Sequence, residues 1–163
     1  MSVIFNADEI FDIAIQIEQN GEKFYKDVAE KTKIPELKAR LLDLAEMENE
    51  HKQTFSALKK DIFTKEKEPI TFDPNNELAL YLNAFARGHV FDLDQDPVKT
   101  INNINSIEEI LKKAIELEKD SIVFYLGIKE LVPVNLGKNQ IDRIITQEME
   151  HISLLSDELK SVS

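Results

Sequence analysis

Two helical stripes in this sequence break their own apolar pattern at the same step, 100 residues apart. Read at alternating spacings of four and three, one face from Leu37 runs Leu37, Leu41, Leu44, Glu48, His51, Phe55, Leu58. The face from Gly137 runs Gly137, Ile141, Ile144, Glu148, His151, Leu155, Glu158. A stripe of this kind is the side of a helix that turns toward a core, so each Glu-x-x-His pair is aimed into apolar surroundings. Two further stripes, Ala7, Phe11, Ala14, Glu18, Gly21, Tyr25, Val28 and Ile107, Leu111, Ala114, Glu118, Ser121, Tyr125, Ile128, each place one glutamate mid-face. The same offset superimposes Glu18 on Glu118, Phe24 and Tyr25 on Phe124 and Tyr125, Glu48 on Glu148, and His51 on His151. The chain reads as a duplicated helical hairpin. Ionised groups enter a core only where partners neutralise them, which restricts the fold to one that gathers all four polar steps at one level.

Asn6 with Glu9 reads as a capping box opening a first helix that runs to about Lys31. Pro35 suits the first turn of a second helix, expected to end near Leu58, before the charged run from Lys59 to Glu68 and Pro69. Ser106 with Glu109 caps a third long helix that stops before Pro133, and a fourth spans about Gly137 to Leu159. The connection between the second and third helices contains Pro69, Pro74 and Pro97 and is too long for a tight turn. Within it, the spacing of Leu78, Leu82, Phe85 and Ala86 predicts a short helix inside 76–91. The expected architecture is all-α: a four-helix bundle of two hairpins joined by a long crossover that carries a short helix, one domain over residues 1–163.

In that bundle four carboxylates and two imidazoles share one small volume. Without cations among them the carboxylates would repel and would have to protonate or leave the core. Two divalent ions balance four carboxylates beside two neutral histidines. Oxygen and imidazole donors suit iron, manganese or zinc rather than copper(I) or calcium. The i, i+3 spacing lets Glu48 and His51, and likewise Glu148 and His151, reach one centre together. The candidate metal ligands are Glu18, Glu48, His51, Glu118, Glu148 and His151. Tyr25 and Tyr125, seven residues after Glu18 and Glu118 on the same faces, are candidates for hydrogen bonds to the ligand carboxylates or for plain core packing. His89 has no carboxylate at ligand spacing and reads as a surface or packing residue, Met149 as a gap-filler, and Glu50 and Glu150 as solvated.

Composition narrows the rest. The 163 residues carry a formal charge of −11 with no basic run, which argues against nucleic-acid binding. The absence of cysteine excludes thiolate zinc sites, iron–sulfur clusters and disulfides within this chain. No stretch is apolar enough to span a membrane, and the first residues lack the basic and apolar segments of a signal peptide, so a cytoplasmic address is the expectation.

The stretches IEQNGEKFY and AEMENEH in the first half, with LEKDSIVFY and TQEMEH in the second, resemble the rubrerythrins of the ferritin-like superfamily. The resemblance implies a ferritin-like bundle holding two iron ions, with zinc or manganese as substitutes. Glu18 and Glu118 would be terminal ligands, Glu48 and Glu148 bridging ones, and His51 and His151 would give one imidazole to each metal. It implies no separate catalytic side chain, a homodimer, and a separate electron donor such as a rubredoxin, since these residues include none of the cysteines of a rubredoxin domain. Rubrerythrins carry a further glutamate three residues after the helix-three ligand. Ser121 stands there, so a more symmetric centre, like that of bacterioferritin, is expected. The leading expectation is a non-haem di-iron oxidoreductase reducing hydrogen peroxide or dioxygen. An iron-handling ferroxidase or metal-binding protein, and a non-catalytic metal-stabilised module, stay open beside it.

Overall fold

Leu, Ile, Ala, Glu and Lys dominate the long segments, and all have favourable or tolerable helix propensity. A computed structural model describes residues 7–65, 80–82, 84, 106–132 and 134–163. It contains four long helices, α1 (Ala7–Lys31), α2 (Pro35–Lys65), α3 (Ile107–Leu131) and α4 (Lys138–Val162), with a 3-10 turn at Val134–Leu136. Helix α1 packs chiefly along α2, and α3 along α4, giving the two expected hairpins. Of the crossover helix, residues 80–82 and 84 are helical and Leu82 is buried in the core. The rest of that span, His89 and Asn6 lie outside the described residues. Among the described residues no helix is long and apolar enough to cross a membrane.

Helix α2 runs past its expected end near Leu58. The charged run stays helical as far as Lys65 because Lys and Glu favour helix as well as solvent, and because Ile62, one further step of four along the stripe, is fully buried. Ser106 caps α3 as expected, its hydroxyl accepting a hydrogen bond from the Glu109 amide at 3.2 Å. Ser106→Ala should cost about 1 kcal/mol, read as a fall of roughly 2–4 °C in Tm. Helix α4 starts at Gly137, whose φ of 116° lies in the left-handed region, and a Cβ there would stand 2.1 Å from a Leu58 methyl. Only glycine both adopts that backbone and lets this corner press onto α2.

The core follows the stripes. Phe11, Ala14, Tyr25 and Val28 of α1, Leu37 to Leu58 of α2, Leu111 to Ile128 of α3, and Ile141, Ile144 and Leu155 of α4 are buried. Aromatic rings surround the polar level: Phe55 lies 4.9 Å from Tyr125, and Phe24 meets Tyr25 edge-on at 5.4 Å. Glu158, at the end of the α4 stripe, is only partly buried and pairs with Arg40 at 2.7 Å. Met149 fills no gap: it is 54% exposed, because the residue after Glu148 points away from the face that Glu148 occupies.

Candidate metal centre

Each of the four helices delivers its polar step to the bundle interior. Glu18 of α1, Glu48 and His51 of α2, Glu118 of α3, and Glu148 and His151 of α4 are all at most 2% exposed. Two overlapping groups form, Glu18, Glu48, His51 and Glu148 in one, and Glu48, Glu118, Glu148 and His151 in the other. In each, one donor atom from every residue lies within 4.8 Å of all the others. Glu48 and Glu148 belong to both groups.

The donor atoms converge without satisfying one another. His51 Nδ1 stands 2.9 Å from Glu148 Oε1 and 3.4 Å from Glu18 Oε2. His151 Nδ1 stands 2.9 Å from Glu148 Oε2, 3.1 Å from Glu48 Oε1 and 3.6 Å from Glu118 Oε1. Their alignment is wrong for hydrogen bonds. Both Nδ1 atoms, both Glu148 oxygens, Glu18 Oε2, Glu48 Oε1 and Glu118 Oε2 are buried with no hydrogen-bond partner. Orphaned buried acceptors are costly, and here all face one space. A pair of divalent cations fits that donor set: four carboxylates and two imidazoles, each offering a lone pair inward.

Electrostatics report the same crowding. Burial pushes the Glu48 carboxyl well above its ordinary range, and the facing charges of Glu148, Glu118 and Glu18 push it further. Burial, with Glu118 and Glu18 adding to it, raises Glu148 to about 7. Burial opposes the charged form of His51, yet the Glu148 and Glu18 carboxylates close beside it outweigh burial and lift the imidazole to about 10. His151 rises for the same reason, through Glu118, Glu148 and Glu48. Burial also works against the Glu118 charge, but His151 beside it brings the carboxyl below its ordinary value. With no cation present, protons take the place of positive charge.

Tyr25 and Tyr125 reach across the bundle. The Tyr25 hydroxyl donates to Glu118 Oε1, and Tyr125 donates to Glu18 Oε1. Each leaves the second oxygen of its glutamate, Oε2, facing the cluster. Burial first, and the surrounding carboxylates second, hold both phenols protonated far above the ordinary range, so they act as fixed donors. Glu50 and Glu150 are exposed, as expected of solvated residues.

Two contributors are not among the candidates read from the sequence, Gln147 because it lies off the stripes and Gly21 because, though on one, it carries no side chain. Gln147 Oε1 accepts a hydrogen bond from His51 Nε2 at 3.0 Å. Because an amide oxygen only accepts, the imidazole carries its proton at Nε2 and presents Nδ1 to the cluster. Gln147 also lines an outer groove between α2 and α4 with Glu50, Gln53 and Arg143. It lies off the inner stripe, 96 residues from its partner, and only a comparison with Met47, its counterpart at the 100-residue offset, marks it as unusual. Gly21 is the second. A Cβ there would stand 2.7 Å from Glu48 Oε2, so the missing side chain is the space that the carboxylate occupies. A glycine mid-helix at the step after a ligand, among large neighbours, is its sequence signal. Gly21→Ala should leave the fold intact, through better helix propensity, while shifting the Glu48 carboxylate. Metal affinity should fall roughly 10-fold, as for neighbours of ligands generally, measured by competition with a chromophoric chelator.

Comparison with known proteins agrees with this fold. The family model named Rubrerythrin matches residues 9–87. An uncharacterised protein of Archaeoglobus fulgidus is 46% identical over 57 residues, which make up 35% of this chain and 89% of that one. Across the full length of both chains, the fold superposes with a TM-score of 0.75 and 25% identity on a crystal structure from Thermotoga maritima, described as a candidate ferritin-like diiron-carboxylate protein.

Proposed function

We propose, from the premise that this chain is a ferritin-like protein of the rubrerythrin type, that it is a non-haem di-iron oxidoreductase. It reduces hydrogen peroxide or dioxygen with electrons from a separate donor. The observation that carries this reading is the sharing of Glu48 and Glu148 by two overlapping donor groups. Glu18 and His51 would hold one metal and Glu118 and His151 the other, with the two shared carboxylates available to both. A bound iron pair supplies two electrons at once to an O–O bond, with zinc or manganese able to occupy the same donors.

The chain's own residues do the rest. Glu48 and Glu148 fix the separation of the two positions. The Tyr25 and Tyr125 hydroxyls hold the outer glutamates by one oxygen and leave the other for the metal. The buried aromatic and aliphatic shell excludes bulk water, which strengthens the electrostatics of the cluster. With no cysteine, these residues hold no iron–sulfur or rubredoxin-type relay, so in this proposal reducing equivalents come from outside them.

Stopped-flow mixing of the ferrous protein with peroxide tests the proposal. Oxidation much faster than that of free iron in the same buffer, with turnover when a reductant is supplied, is the expected result. Oxidation no faster than free iron would sink it, and iron uptake well beyond one pair per chain would replace it with the iron-handling reading.

A further inference from the structure

The ligand set is symmetric under the 100-residue offset, but what stands behind the two histidines is not. His51 Nε2 is held at 3.0 Å by the Gln147 side-chain oxygen. His151 Nε2 is buried and has no hydrogen-bond partner among the described residues. The residue that would hold it in a fully duplicated bundle is at position 47, and that residue is methionine, whose thioether is a weak acceptor. The expected symmetry of the centre thus stops at the ligands.

The consequence is chemical. A ligating imidazole is oriented, fixed in one tautomer and made a better donor by a hydrogen bond to its remote N–H. His51 has that support and His151 lacks it. Both outer glutamates are held equally, Glu18 by Tyr125 and Glu118 by Tyr25, so the glutamates do not offset the difference. The shared carboxylates belong to both positions and favour neither.

We infer that the two metal positions are unequal: the Glu18–His51 position binds a divalent cation more tightly and fills first, with Gln147 as the positioning residue that makes it so. This inference rests on the dinuclear reading proposed above. The expected gap is about 10- to 100-fold in affinity, the usual effect of losing a partner behind a ligand.

Anaerobic titration of the full chain with Co(II), followed by visible absorption and by proton NMR of the paramagnetically shifted imidazole N–H signals, tests it. Two resolved binding steps are expected. The first should bring up a slowly exchanging N–H resonance, from His51 shielded by Gln147, and the second a faster-exchanging one. Gln147→Met should abolish the slow resonance and merge the steps by weakening the first. Met47→Gln should strengthen the second and produce a second slowly exchanging signal, a gain that damage to the fold does not yield. Two cations bound in the wild type with equal affinities, or a slow resonance that survives Gln147→Met, would overturn the inference and leave the dinuclear reading standing. Failure of the wild type to take up two cations would overturn both.

Discussion

Glu48→Gln should strip the protein of its metal pair and, in the metal-free state, make the bundle more stable. The two effects have opposite signs for one reason. Glu48 belongs to both donor groups, so its loss weakens both positions, and elemental analysis should find fewer than two ions per chain after gel filtration. Without metal, Glu48 is the buried carboxyl that Glu148, Glu118 and Glu18 all oppose. Replacing it with a neutral side chain of equal volume removes that repulsion. Exchanging buried ionic groups for neutral ones of similar shape is often neutral or stabilising by roughly 1–4 kcal/mol, here a rise of several degrees in the Tm of the apo-protein at about 2–4 °C per kcal/mol. A Glu48→Gln protein that keeps two tightly held ions, or whose apo form melts lower than the wild type, would show that the carboxylate is not part of a metal cluster.

Metal removal should cost more stability the higher the pH. The folded-state values of Glu48, Glu148 and His51 all lie above their ordinary ones. Each group therefore binds a proton more tightly in the folded chain. The stability it contributes is present at low pH and is lost as pH rises, through about 7 for Glu148 and about 10 for His51. Glu118 is depressed and works the other way, but only as pH falls through the ordinary carboxylate range. The apo-protein should accordingly be most stable in mildly acidic solution and weaken steadily toward pH 9. Metal binding runs against this trend, because ligands must shed protons to coordinate. A cation at about 1,000 times its Kd adds about 4 kcal/mol, or roughly 8–16 °C in Tm. Scanning calorimetry of loaded and chelator-treated protein between pH 6 and 9 should show the gap between them widening. A gap that is constant or narrows would contradict the arrangement.

How much of this was legible in the sequence depends on whether a residue lies on an inner stripe. All six candidate ligands do, and the 100-residue offset repeats them, so a pattern that is ambiguous in one helix becomes specific in four. Tyr25 and Tyr125 were visible as positions but not as cross-bundle donors, because a stripe says which face a side chain occupies and not which helix it meets. Gln147 was hidden: it sits beside a stripe, and its bond to His51 depends on how α2 and α4 are packed. The extension of α2 to Lys65 is masked by a charged run that resembles a stop, although Ile62 keeps the step of four. Residue type alone points Met149 to packing, and its position next to Glu148 turns it to solvent.

Each donor group takes three residues from one hairpin and one from the other, since Glu148 completes the set of Glu18, Glu48 and His51, and Glu48 completes its counterpart. A cation held there would act as a clasp across the seam between the two halves, adding to the apolar contacts, the tyrosine bonds and the Arg40–Glu158 pair that already cross it. Because each hairpin packs chiefly within itself, removing that clasp should weaken the seam more than either hairpin, along the line where the two repeats meet.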